Sequence, residues 1–262
     1  MSGFDWKGTG VFVTGATGFV GGWLATRLVE LGARVVALVR DVDPLAMKVH
    51  PQLWDSAVQV SGDVTDLAAV RRALAEHGVT VCFHLAAQAA VRSALADPSG
   101  TFESNVKGTW TVLEACRQVS SIDRIVMASS DKAYGDQPEL PYVEDVSPLA
   151  GKFPYDASKA AGDIITNSYF HTFELPVAIT RNANTYGGGD LSGHRLVPET
   201  VMAILGGRPP VIRSDGSPER DYLHVSDAVA GYIALAEQLG RPEIRGQAFN
   251  LGAGVAVSVI DL

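Results

Sequence analysis

VFVTGATGFVGGWLATRLVELGARVVALVRD, residues 11–41, reads as an apolar strand, a glycine-rich turn, an amphipathic helix and a second apolar strand. Gly15, Gly18 and Gly21 stand three apart, directly after the first apolar run and directly before the helical pattern. Glycine spacing alone is a weak signal. Strand, turn, helix and second strand in this order make a stronger one, because each part has a physical task. Residues without Cβ let backbone approach a pyrophosphate, and the helix N-terminus supplies free N–H groups and a favourable dipole. The turn is therefore read as a dinucleotide cradle, with Gly15, Thr17, Gly18, Phe19, Val20 and Gly21 as its contacts.

The rest of the chain repeats the pattern. Strands are predicted at 11–14, 34–39, 58–60, 81–85, 124–128 and 177–180, and helices at 19–31, 67–76, 101–119 and about 155–172. Uniformly apolar strands suit a parallel sheet covered on both faces. The expected fold class is α/β, a doubly wound parallel sheet of Rossmann type with a small C-terminal substrate lobe. Residues 1–181 form the dinucleotide-binding domain in this reading. Residues 182–262 form a mixed region of later Rossmann elements and substrate lobe.

Composition sets bounds. With 262 residues, 47% hydrophobic and 19% charged, the chain can bury a substantial core and is not disordered. A net charge of −8 gives no reason to expect nucleic acid as a partner. No signal-peptide pattern and no apolar run of membrane-spanning length is evident. Cys82 and Cys116 lack metal-ligand spacing and read as reduced, buried residues of a cytoplasmic protein, so no metal is expected.

Past the second strand stand Arg40 and Asp41, which point in opposite directions. A carboxylate there bonds the adenosine ribose hydroxyls of NAD, whereas an arginine accommodates the 2′-phosphate of NADP. Arg40 comes first and gives a slight lean to NADP. Asp63 and Val64, after the third strand, are candidates for the adenine side, and Asp66 is expected to cap the next helix. HLAAQ, residues 84–88, leaves a strand with small side chains, placing Leu85, Ala86 and Ala87 against the cofactor and Gln88 toward substrate. His84 reads as a packed strand residue.

Tyr155 and Lys159 lie at i and i+4, on one helix face. An ammonium beside a phenol favours the phenolate, which can take a proton from a hydroxyl while a nicotinamide accepts hydride. Many solvated helices carry YxxxK by chance. Here Ser129–Ser130–Asp131–Lys132 exits the strand RIVMA, at the carboxyl edge where open α/β sheets bind ligands. Ser130 is the hydroxyl expected to share a substrate oxygen with Tyr155.

TGATGFVGG, HLAAQ, SSDKAYG, YDASK, RNANTYG and RDYLHVSD occur in the order found in extended short-chain dehydrogenase/reductases. Across nearly its whole length the chain resembles the nucleotide-sugar 4,6-dehydratase and epimerase group, and the Asp–Lys pair and GGGD resemble its CDP-glucose 4,6-dehydratase branch. The resemblance implies an NDP-hexose substrate oxidised at C4 by bound NAD(P), dehydrated across C5 and C6 and reduced at C6. Tyr155 would be the base at C4, Lys159 would tune it, and Ser130 would assist. Asp131 would protonate the departing hydroxyl. Lys132 stands where most of the group has a glutamate as base at C5, which leaves an NDP-sugar epimerase or other isomerase as the alternative, and a non-catalytic binder as a remote one. Asn184 and Arg220 match residues at the sugar diphosphate, with Arg195 and Arg213 as helpers; Asp227 reads as a cap or hydrogen-bond partner in the helix that follows. A homodimer is implied, paired through the YxxxK helix and its neighbour. Members of the group continue beyond FNLGAG with more helices, so the substrate lobe is expected to be incomplete relative to theirs.

Overall fold

A computed structural model describes residues 3–41 and 44–262. Ten strands occur among them: β1 Gly10–Thr14, β2 Arg34–Val39, β3 Val58–Ser61, β4 Val81–His84, β5 Arg124–Ser130, β6 Val177–Asn182, β7 Asn184–Tyr186, β8 Glu219–His224, β9 Ala248–Leu251 and β10 Ala256–Ser258. The helices are α1 Phe19–Glu30, α2 Pro44–Val49, α3 Pro51–Ser56, α4 Leu67–Glu76, α5 Val91–Ala96, α6 Pro98–Phe102, α7 Gly108–Gln118, α8 Pro154–Phe173, α9 Leu196–Leu205 and α10 Val225–Gln238. Seven strands form one parallel sheet in the order β3-β2-β1-β4-β5-β6-β9, and β10-β8-β7 form a small second sheet.

Alternation along β1 shows why its sequence is apolar throughout. Val11 and Val13 pack with Leu24 and Leu28 of α1 and Tyr232 of α10 on one face. Phe12 packs with Val70 and Leu74 of α4 and Val112 and Leu113 of α7 on the other. Each fully buried leucine contributes about 1.5–3 kcal/mol, so neither face tolerates a polar residue. Asp66 caps α4 as expected, its carboxylate accepting from the backbone N–H of Ala68 and Ala69.

Strands β5 and β6 and the helix predicted at 101–119 differ from expectation in their bounds. β5 runs two residues further, because Ser129 and Ser130 pair with Arg181 and Asn182 of β6. The helix predicted at 101–119 starts at Pro98 and contains a π turn over Glu103–Lys107. Asp97 caps its start, accepting from the Gly100 N–H. Within 182–262, expected to hold later Rossmann elements, β9 joins the main sheet and α10 packs on α1 and β5.

Candidate active site

The main sheet reverses its winding between β1 and β4, so their carboxyl ends open a crevice where α/β sheets hold ligands. Thr14 ties the two ends together. Its Oγ1 accepts the N–H of Leu85 and of Ala86, each at 3.1 Å, so its own proton goes to His84 Nδ1 at 2.8 Å. That bond fixes His84 as the neutral Nε2–H tautomer. Burial, with help from the Lys159 charge, pushes the imidazole down to about 3. His84 is thus a packed strand residue, as its position in an apolar run suggested.

The glycine turn is as tight as its sequence required. A Cβ on Gly21 would lie 2.1 Å from the Gly15 carbonyl oxygen, and one on Gly15 would lie 2.7 Å from the Ala86 nitrogen. The small residues of HLAAQ therefore serve the turn itself. Gly18 is the N-cap of α1, with no side chain bonded across the helix start and no acidic residue in the first turn. Free N–H groups and the helix dipole thus face the cleft, which suits a pyrophosphate.

The cleft is about 1330 Å³. All of the expected cofactor contacts line it: Gly15, Thr17, Gly18, Phe19, Val20, Gly21, Arg40, Asp63, Val64, Leu85, Ala86, Ala87, Tyr155 and Lys159. Asp63 accepts from both the N–H and the hydroxyl of Thr65 and stands 3.8 Å from the Arg40 guanidinium. Arg40 is also 2.7 Å from Asp41.

Ser130, Lys132, Tyr155 and Lys159 line the same cleft. Lys159 Nζ donates to the Ala128 carbonyl at 2.8 Å, which anchors α8 to β5. Burial pulls this ammonium down to about 8, and the Asp163 carboxylate opposes the fall. Burial pushes the Tyr155 phenol up to about 12, opposed by hydrogen bonding to Ser130. Asp131 does not line the cleft. Its carboxylate is turned to the Ser130 hydroxyl at 3.1 Å and to Lys132 Nζ at 3.4 Å.

Of the substrate-side residues, Gln88, Asn184 and Arg195 line the cleft. Arg195 bonds Asp190 at 2.8 Å, and its guanidinium is 5.9 Å from the Phe19 ring. Two candidates are placed elsewhere. Arg213 is exposed and forms a bidentate pair with Glu199. Arg220 is exposed, donating to the Glu219 carbonyl at 2.6 Å. It lies two residues, roughly 7 Å, along β8 from the cleft-lining Tyr222, beyond the part paired with β7. Asp227 accepts from Ser226, while the cap of α10 is the His224 side chain.

Sequence reasoning missed Asn105. The π turn carries it inward, where Oδ1 accepts the Gln88 N–H at 2.7 Å and Nδ2 donates to Ser158 at 2.9 Å. It missed Arg92 and His194 in the cleft lining as well. Arg92, two residues into the short helix after HLAAQ, was legible only as one charge among many. No group of three or more His, Cys, Asp or Glu side chains suited to a metal occurs among the described residues. No helix among them is long and apolar enough to cross a membrane.

The sequence model of the NAD dependent epimerase/dehydratase family matches residues 11–252. The chain belongs to that family. Within this epimerase/dehydratase family, the chain is 33% identical to the CDP-glucose 4,6-dehydratase of Salmonella typhimurium over 244 residues, 89% of this chain and 68% of that one. It is 36% identical to the UDP-glucose 4-epimerase of Mycolicibacterium smegmatis over 254 residues, 95% and 79% of the two chains. Among solved structures, a double mutant of the dTDP-glucose 4,6-dehydratase DesIV from Streptomyces venezuelae, with NAD bound, superposes with a TM-score of 0.85 at 30% identity. The match covers 95% of this chain and 77% of that one.

Proposed function

We propose that this protein converts an NDP-hexose to the NDP-4-keto-6-deoxyhexose by 4,6-dehydration, with oxidation at C4, loss of water across C5 and C6, and reduction at C6. The observation that carries this reading is the meeting of Ser130, Tyr155 and Lys159 in one cleft with the glycine turn. NAD held along that turn would supply the two-electron acceptor and donor. Buried as it is, the Tyr155 phenol stays protonated near neutral pH unless the Lys159 charge stabilises its phenolate. Tyr155 then takes the proton of the C4 hydroxyl, with Ser130 orienting that oxygen. A carbonyl at C4 acidifies the C5 proton. Asp131, outside the cleft, acts through Lys132: the Lys132 ammonium, paired to it and lining the cleft, protonates the departing C6 hydroxyl while the C5 proton passes to water in the cleft, which recharges the amine. Asn184 and Arg195 hold the sugar diphosphate.

NAD is the cofactor this geometry favours. Two carboxylates neutralise the Arg40 guanidinium, so the lean to NADP that its sequence position suggested loses its basis. Lys132 in place of an acidic base favours one second reading, an NDP-sugar epimerase that oxidises C4 without elimination. The proposed assembly is a homodimer through α7 and α8, whose outward faces carry the exposed Trp110, Ile164 and Phe173. Ile164→Glu should then give a monomer by light scattering. Cys82 and Cys116, both free and buried, suit a reducing compartment such as the cytoplasm.

Incubation with a panel of NDP-hexoses in deuterated water, followed by NMR and mass spectrometry, tests the activity. Dehydration gives a keto product lighter by one water with deuterium at C5. A product of unchanged mass would replace the dehydratase by an isomerase, and no turnover with cofactor bound would leave a binding protein. Tyr155→Phe should abolish oxidation at C4 while cofactor still binds.

A further inference from the structure

Behind the reacting pair lies a polar layer that the proposed reaction does not use. Asp163, one helical turn beyond Lys159 on α8, is buried, as is Arg181 on β6, and the Arg181 Nε donates to its carboxylate at 2.7 Å. Arg181 is held in turn by the Tyr134 hydroxyl at 2.8 Å and the Glu144 carbonyl at 3.1 Å. Burial raises the Asp163 carboxyl, but its guanidinium partner keeps its proton at any working pH and holds it ionised.

Between Asp163 and Lys159 is a cavity of about 10 Å³, bordered by Ser129, Thr109 and Thr166. That is the space of one water molecule, and the polar partners a buried water needs surround it. The Ser129 hydroxyl, buried beside it, faces the Asp163 carboxylate without closing a hydrogen bond of ordinary geometry. The Thr109 and Thr166 hydroxyls donate to the Asn105 and Gly162 carbonyls and keep lone pairs free for a donor.

We propose that Asp163 is a positioning residue for the Tyr155–Lys159 pair: through an ordered water in this cavity, its carboxylate holds the Lys159 ammonium in its charged form. The charges facing the pair leave no other candidate for this role. Next to Lys159, His84 is neutral above about pH 3 and the Ala128 carbonyl carries no charge. Asp131, Asp156 and Arg195 act on Tyr155, and among the described residues Asp163 is the one carboxylate that supports Lys159. Without it, burial would discharge the lysine near neutral pH, and the phenol would lose the cation that stabilises its phenolate.

The inference rests on reading Tyr155 and Lys159 as the reacting pair, but its test is independent of turnover. Trace labelling of the full chain with acetic anhydride between pH 6 and 11, read by peptide mass spectrometry, gives the titration midpoint of Lys159. In Asp163→Asn the midpoint should fall by about one pH unit or more, the effect of losing a nearby opposite charge. Asp163→Glu should restore most of it. If the single variant does not fold, Asp163→Asn/Arg181→Gln removes the stranded guanidinium and should show the same fall. A Lys159 midpoint unchanged in whichever of these variants folds would overturn the proposal. Absence of turnover on every sugar nucleotide would instead remove the proposed function and leave this midpoint readable.

Discussion

The three glycines of the turn look equivalent in sequence, yet the structure assigns them unequal costs. A Cβ at Gly21 would lie 2.1 Å from the Gly15 oxygen, against ordinary contact from 3.4 Å, so the turn and α1 would have to separate by roughly 1.3 Å. At Gly15, φ is +75°, a left-handed conformation that disfavours a side chain, and the Ala86 backbone stands in the way as well. At Gly18 the nearest atom would be 3.2 Å away, a mismatch of a few tenths of an ångström. Overpacking of backbone against backbone costs about 1–3 kcal/mol. Gly21→Ala should therefore lose roughly 1–3 kcal/mol in urea unfolding and bind NAD more weakly by about fivefold to a hundredfold if the distortion is felt at the turn, since about 1.4 kcal/mol is tenfold. Gly18→Ala should stay within about 0.5 kcal/mol of wild type, so that any loss of affinity there reports the ligand alone. The assays are urea melts and calorimetric titration with NAD on the same preparations. Equal behaviour of the two variants in both would refute the assignment of the turn's rigidity to the Gly15–Gly21 contact.

Three further outcomes are expected. His84 is neutral in the fold down to about pH 3, whereas the unfolded chain protonates it near 6.5. Above 6.5 it adds no pH dependence; as pH falls from there toward 3 the unfolded state gains a proton first, and stability drops by about 2 kcal/mol at pH 5. His84→Asn should lack this part of the loss between pH 7 and pH 5 in urea melts; an identical loss would mean that His84 is charged in the fold. Asp41→Asn should free Arg40 and raise the kcat/KM for NADP relative to NAD, and an unchanged ratio would show that the Arg40–Asp41 pair does not set cofactor choice. Arg195→Ala should raise KM for the sugar nucleotide while Arg213→Ala, outside the cleft, should leave it unchanged; the reverse pattern would move the diphosphate to the other side of α9.

The sheet, the glycine turn and the helix face shared by Tyr155 and Lys159 were legible because their signals are local. An apolar run, three glycines and an i, i+4 spacing each fix a short stretch whatever lies elsewhere. Local signals say less where a distant partner decides the outcome. Arg40 gives a slight lean to a 2′-phosphate by its position, and only the fold brings Asp63, two residues past β3, to 3.8 Å from it. Arg220 reads as a diphosphate clamp from its motif, while the fold places it on β8 two residues before the cleft-lining Tyr222.

By itself the sequence determined the parallel α/β layering, the dinucleotide turn and the helix face that presents Tyr155 and Lys159. These follow from periodicity and from backbone sterics, which act over a few residues. Only the tertiary structure decided that Thr14 locks His84 neutral and that the π turn carries Asn105 to Gln88 and Ser158. It alone decided, too, that Asp163 meets Arg181 behind Lys159. These contacts join residues far apart in the chain or depend on an inserted turn, and their energies arise only once packing removes water from between the partners.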